Sequence, residues 1–294
     1  MLVQEVMEIE KYQLAVGDQE LHYLQAGSGS PLLLIHGLLG GHFCWRLNIQ
    51  RLAEQHRLFA VDLPGFGESL VPRTLDCSMQ TQASRLLCWM ERLELKSVDV
   101  VASSWGGGVA LLLAALTPRV RSLTLVAPVN PWSSFGRKRL RFFDRWAGRT
   151  LLRLGLPFTR PLHSTLVSRL YGDSGRIPAG TVEGYSKMIM CPGRADNLLN
   201  TVHCWQGDLK ALQGAIERVK VPVLLLWGTK DGAVDIRSAD TLMEKLCQCE
   251  RATIEGAGHL PFEETPEEFN RLVLDFLERV SLRPRNDLIQ HQEP

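Results

Sequence analysis

Residues 100–111, VVASSWGGGVAL, run from an apolar stretch through two serines, a tryptophan and three glycines back into an apolar stretch, and few folds can use such a segment. A buried strand that turns into a helix within a residue or two brings backbone segments so close that the flanking side chains must be small. The residue at the tip of that turn is held in a strained conformation, with small residues two positions to either side. Ser103 does not fit, because its flanks are Val101 and Trp105. Ser104 does, with Ala102 and Gly106 as flanks and with Gly107 and Gly108 able to pack a helix closely against a sheet. Ala102 exceeds the usual glycine by one methyl group, which is tolerable where smallness matters more than a positive φ.

The rest of the chain supplies strands and helices in alternation. Residues 11–26 read as a hairpin around GDQE, and PLLLIHG reads as a buried strand. A helical pattern near 43–54 precedes the strand RLFAVD, and SMQTQASRLLCWMERLEL, with Leu86, Met90 and Leu93 on one face, leads into SVDVVA. GGVALLLAALTP is helical up to Pro118 and VRSLTLVAP is a strand. Later come the strand VPVLLLWG, a helix near 237–247, a strand around ERATIEG and a closing helix over about 265–282. This order predicts an α/β fold: a mostly parallel sheet covered on both faces, with function at the carboxyl ends of its strands. Between Pro128 and about Gly214 the alternation fails. The expectation is an α/β core over 1–127 and 215–294, interrupted by a helical cap over 128–214 that lies across the sheet's carboxyl edge.

Composition narrows the function classes. A chain of 294 residues with 45% hydrophobic content can bury one large core or a core with an inserted smaller unit. A formal net charge of +1 provides no global field for nucleic acid. The opening MLVQEVMEIEKYQL carries acids where a secretory signal needs a basic and then an apolar stretch, and no apolar run reaches membrane-spanning length, so a cytoplasmic protein without a transmembrane segment is expected. Seven cysteines without a C-x-x-C pair argue against a disulfide framework and a structural zinc site, and Cys247-Gln248-Cys249 reads as ordinary thiols. Nothing in the sequence calls for a metal or a cofactor.

A serine hydroxyl needs a base within reach, itself oriented by a third group. Asp231, in the loop after VPVLLLWG, and His259, in EGAGHLPFEETPEEF, both fall just past core strands. Asp235, four residues on, is the rival acid. With these residues in place the sequence resembles the α/β-hydrolase family, in its capped branch of epoxide hydrolases, haloalkane dehalogenases, carbon–carbon bond hydrolases and carboxylesterases. The resemblance rests on HGLLGG at 36–41, DLPGFGES at 62–69, the serine turn, WGTKD at 227–231 and GAGH at 256–259. It implies Ser104 as nucleophile, His259 as general base and then acid, Asp231 as the orienting carboxylate, and the backbone N–H groups of Leu38 and Trp105 as the oxyanion hole. His36 is expected to brace the oxyanion loop by hydrogen bonds, and Asp62 to be tied up within its own loop. His22, His42, His56, His163, His203 and His291 are expected to be structural or solvated. Asn130, after VRSLTLVAP, cannot replace a carboxylate.

Epoxide hydrolases and haloalkane dehalogenases of this branch carry aspartate at the turn, whereas serine suits an acyl intermediate. The expected activity is therefore hydrolysis of a small carboxylic ester. The alternatives are a carbon–carbon bond hydrolase, whose usual asparagine before the serine is here Ser103; a proline iminopeptidase-like amidase, whose HGGPG is here HGLLGG; and a hydrolase-fold binding protein without catalysis. Residues 128–213 hold thirteen Lys and Arg against five Asp and Glu, a poor environment for a substrate ammonium. Within them GRKRLRFFDRWAGRTLLRLG, at 136–155, reads as one basic amphipathic helix. Arg137, Arg141, Arg145, Arg149 and Arg153 form a slanting ridge, with Leu140, Phe143, Trp146 or Ala147, and Leu151 on another side. Either that apolar side rests on the core with the arginines in water, or the ridge meets anionic or interfacial substrates.

Overall fold

The computed structural model describes residues 8–17, 19–69, 75–133 and 142–282. One eight-stranded sheet organises them, in the order β1 (Ile9–Val16), β2 (Gln19–Ala26), β4 (His56–Val61), β3 (Ser30–Ile35), β5 (Val98–Ser103), β6 (Val120–Val126), β7 (Val223–Gly228) and β8 (Cys249–Ile254). β1 and β2 form the antiparallel hairpin expected around Gly17, and β2 pairs antiparallel with β4. From β4 to β8 all pairs are parallel. The strands read as continuous apolar runs because both faces are covered, and their side chains alternate between two cores. Leu33, Ile35, Val100, Ala102, Leu225 and Trp227 point to one core, and Leu32, Leu34, Val101, Leu224 and Leu226 to the other. Each fully buried leucine stabilises the fold by about 2 kcal/mol relative to exposure.

Helices α2 (Met79–Arg92) and α3 (Trp105–Leu116) fill the first face, and α1 (Ile49–Ala53) fills the second. Ser78 caps α2, its side chain accepting the Thr81 N–H at 3.3 Å, which stops the helix from extending backwards. Thr117 is extended ahead of Pro118 and ends α3, as the residue before a proline must. Between β6 and β7 the described residues contain helices and no strand: α4 (Trp146–Gly155), α5 (His163–Ser168), α6 (Thr181–Ile189) and α7 (Arg194–Ala215). After β7 come α8 (Ser238–Lys245), α9 (Pro261–Glu264) and α10 (Pro266–Ser281). Among the described residues no helix is long and apolar enough to cross a membrane.

The helix expected at 136–155 is corrected in one respect. Arg137, Leu140 and Arg141 lie outside the described residues, and the chain is extended at Arg145 (φ −80°, ψ 153°) before α4 begins, so the ridge is not one continuous helix. Of the two arrangements open for its faces, the covered one is excluded: Gly148 is buried, while Trp146 and Leu151 are exposed. The apolar side therefore does not rest on the core. α4 leans instead on α7, to which Arg153 is tied by Asp196 at 2.7 Å.

α7 runs past residue 214 to Ala215, and Leu209, Leu212 and Ala215 belong to the first core. Asp208 of this helix is buried and accepts the Met79 N–H in the first turn of α2 at 2.9 Å, while its Oδ2 meets no partner among the described residues. Burial pushes its pKa up to about 7. The folded protein therefore holds a proton that the unfolded chain releases, and stability falls as pH rises from the ordinary carboxylate range through that value. Asp208→Asn keeps the acceptor for Met79 and removes the charge. Urea midpoints are expected to be higher than the parent's above this window and similar below it; a difference that does not vary with pH would contradict the assignment.

Candidate active site

β5 ends at Ser103, which is buried, and α3 begins at Trp105, so Ser104 is the single residue that makes the turn. Its backbone, at φ 54° and ψ −119°, lies where side chains are rarely found, at a cost on the order of 1–3 kcal/mol. The turn is held on both sides by the end of β6 and the loop after it. The Ser104 N–H donates to Val126 O at 2.8 Å, and the Ser104 carbonyl accepts from Val129 N at 2.9 Å. A Cβ on Gly106 would stand 2.2 Å from the His36 carbonyl, so only glycine lets α3 come this close to the loop after β3. Ala102 is an ordinary strand residue, paired with Ile35 and Leu125, and its methyl group fits the core.

The same loop passes over the serine: a Cβ built on Gly37 would lie 3.8 Å from Ser104 Oγ. It is shaped by a turn in which Gly40 N–H donates to Gly37 O at 3.0 Å and Leu39 takes φ 61°. His36 braces it. Its Nε2 accepts the Leu63 N–H at 3.0 Å, so Nδ1 carries the proton and donates to Gly37 O at 2.8 Å. Burial lowers the His36 pKa to about 4, against the attraction of Asp62, and the ring stays neutral. Asp62 is buried and accepts from Glu68 N at 2.7 Å within its own loop, as expected, but also from the His42 ring at 2.9 Å, which ties it to the segment after β3. Trp105 N–H is the first of α3, where helix geometry leaves donors without intrahelical acceptors and favours negative charge.

Asp231 and His259 meet. His259 Nδ1 and Asp231 Oδ2 are 2.8 Å apart, both nearly without solvent contact, while Asp231 Oδ1 accepts from Ala233 N at 2.7 Å and Val234 N at 3.0 Å. One oxygen is thus held by the loop and the other is left for the imidazole. The rival, Asp235, is turned away and bound by Arg237 at 2.7 Å. Asn130 is buried in a turn and bonded to Ser238. Of the remaining histidines, His56 meets Ser30, His163 meets Thr159 and Ser186, and His203 meets Asp144; His291 lies outside the described residues.

The sequence reading missed two buried acids that follow the histidine. Glu264 accepts three backbone N–H groups, from Gly258 at 2.8 Å, Gly172 at 3.0 Å and Asp173 at 2.9 Å. The His259 N–H itself donates to Leu170 O at 2.6 Å. A Cβ on Gly172 would sit 2.1 Å from Gly256 O, so the histidine loop and residues 170–173 are in backbone contact. Glu263 meets Arg46 at 2.7 Å and accepts from the Tyr171 and Tyr185 hydroxyls; burial raises its pKa, against the pull of Arg46. Arg194, also buried, donates to the carbonyls of Gly65 and Gly67 in the loop after β4. The available signal was two adjacent acids within the apolar setting of HLPFEE, which periodicity alone assigns to nothing.

Residues 30–266 match the family model of the alpha/beta hydrolase fold. The chain is 26% identical over 260 residues to the human (Homo sapiens) monoacylglycerol lipase ABHD6, covering 86% of this chain and 77% of that protein. It is 28% identical over 270 residues to the 2-hydroxymuconate semialdehyde hydrolase of Pseudomonas sp. strain CF600, covering 86% and 88%. The solved structure of the epoxide hydrolase CorEH superposes with a TM-score of 0.78 at 26% identity, over 93% of this chain and all (100%) of that one.

Glu264→Gln puts an amide donor against three backbone donors, and a loss of about 2 kcal/mol in stability is expected. Hydrogen exchange should quicken at the Gly258 and Asp173 amides while β3, β5 and β6 stay protected. Unchanged exchange at both amides would show that the carboxylate does not hold the histidine loop.

Proposed function

The chain belongs to the alpha/beta hydrolase fold family, and from that premise we propose that it is a serine hydrolase that cleaves carboxylic esters through an acyl-enzyme intermediate. In this reading Ser104 is the nucleophile, His259 the general base and Asp231 the orienting carboxylate. The observation that carries it is the Asp231–His259 pair at 2.8 Å. A carboxylate at Nδ1 keeps the proton on that nitrogen and leaves Nε2 free as a base. Ser104 Oγ attacks the ester carbonyl and its proton passes to Nε2. The oxyanion is met by the N–H groups of Leu38 and Trp105, each such donor worth about 3 kcal/mol in the transition state. The imidazolium then gives its proton to the departing alkoxide, and a water repeats the sequence to release the acid.

Serine at the turn sets this chain apart from the aspartate-dependent members of the capped branch. Likeness to a 2-hydroxymuconate semialdehyde hydrolase keeps a carbon–carbon bond hydrolase as one competing reading, since the same serine and histidine serve that chemistry. Ser103, where those enzymes commonly carry asparagine, weighs against it. Residues 128–214 are the cap in this proposal, and 1–127 with 215–294 the core. The contacts of Tyr171, Gly172 and Arg194 with loops at the sheet's carboxyl edge support placing the cap over that edge.

Purified protein is expected to turn over a short p-nitrophenyl ester. Ser104→Ala should abolish that activity, while Ser103→Ala, altering a side chain inside β5, should leave most of it; equal losses would refute the assignment. Asp231→Asn should lower the acylation rate by on the order of 10⁴-fold with the fold intact, through the wrong imidazole tautomer. Asp235→Asn should have little effect, and a reversal of the two would move the orienting acid to Asp235.

A further inference from the structure

Seven of the thirteen large hydrophobic side chains that stand exposed among the described residues fall between residues 142 and 166. Trp146 is 82% exposed and Phe158 is 81% exposed. At about 100° per residue, Trp146, Leu154 and Leu151 share an arc of about 140° on α4, while buried Gly148 faces the other way. Arg149 and Arg153 run along one edge of that arc, with Arg145 immediately before the helix. The pattern continues through Leu162 and Leu166, which are exposed, whereas His163 and Val167, one position on in each case, are buried. Water-facing helices place leucine inward and histidine outward. Here the histidine is inside, bonded to Thr159 at 2.9 Å and Ser186 at 2.8 Å, and the leucines are outside. The arrangement is anchored, since His163, Val167 and Gly148 are all buried beneath it.

From this inverted face we propose that residues 142–169 form a peripheral docking surface for a phospholipid bilayer with anionic headgroups. Aromatic and leucine side chains enter the boundary between headgroups and acyl chains, and arginines beside them meet the phosphates. Over 142–169 there are five arginines and one acid, Asp144; Arg149 stands 3.8 Å from Asp144 and Arg153 2.7 Å from Asp196 of α7, so the excess positive charge of this face rests on Arg145, Arg160 and Arg169. A second copy docked about a twofold axis would set this basic face against itself, whereas an anionic bilayer neutralises it. α4, with ten residues, reaches about 15 Å, half a bilayer core, so it lies in the interface and does not span it. The inference goes beyond ester hydrolysis and does not require it.

The test uses the full chain with Ser104→Ala, so that lipid is not turned over, sedimented with sucrose-loaded vesicles of phosphatidylcholine with and without phosphatidylglycerol. Binding to the anionic vesicles is expected to be at least about tenfold tighter and to weaken with salt. Leu154→Ser with Phe158→Ser should weaken binding to the anionic vesicles by about tenfold or more. Arg145→Gln with Arg149→Gln should lower it mainly at low salt. All four positions are at the surface or half-buried, and an unchanged thermal midpoint checks the fold. Absence of vesicle binding, or binding indifferent to the apolar substitutions, overturns the proposal. So does a concentration-dependent dimer, seen by sedimentation velocity, that Phe158→Ser makes monomeric while vesicle binding is absent. Failure of the esterase assay with intact vesicle binding would overturn only the catalytic reading.

Discussion

Everything at the candidate site hangs on how closely α3 can approach the loop after β3. With Gly106 against the His36 carbonyl, the chain can leave β5, reverse at Ser104 with a positive φ and enter a helix without a connecting loop. The strain of that one residue persists because β6 holds its amide, the loop after β6 holds its carbonyl, and the surrounding core over-determines its position. The same approach brings Gly37 over the serine hydroxyl and sets the first N–H of α3 beside it. Neutral His36 completes this arrangement by donating to Gly37 and accepting from Leu63, thereby joining the loops after β3 and β4. A charged imidazole would lose the second bond.

The opposite side of the site depends on buried carboxylates. Asp231 divides its oxygens between its own loop and the His259 ring. Glu264 binds the backbone before His259 to residues 172–173, and Glu263 joins Arg46 to two tyrosines of the inserted segment, Tyr171 and Tyr185. Replacing any of these acids by an apolar residue would leave buried donors unsatisfied. The inserted helices are therefore not an independent unit resting on a finished core. Their residues 170–173 are part of what positions the histidine loop, and Arg194 does the same for the loop after β4.

The exposed face of α4 follows from the same division of contacts. The inserted segment is attached inward through buried His163, Gly148 and Arg194 and through apolar residues such as Val167, Leu199 and Leu212. Between residues 142 and 166, by contrast, Trp146, Leu151, Leu154 and Phe158 are left outward, beside the arginines. A segment attached in this way can present an apolar surface without loosening, which an ordinary amphipathic helix packed by its leucines cannot.

Local chemistry in the sequence was enough to determine the alternating strands and helices, the choice of Ser104 over Ser103, and the placement of Asp231 and His259 past the ends of β7 and β8. Strand periodicity, glycine geometry and turn residues act within a few positions, so each of these could be read from neighbours. Periodicity also located the helical insertion, but it reported only that α4 has an apolar side, and left open whether that side is covered; in the fold it is exposed. Which carboxylate takes the histidine was open between Asp231 and Asp235 until the fold set one against the ring and gave the other to Arg237. The roles of Glu263, Glu264 and Arg194 were invisible for the same reason. Their partners in other elements lie 78 or more positions away, and a contact across that distance exists only once the sheet has brought the loops to one edge.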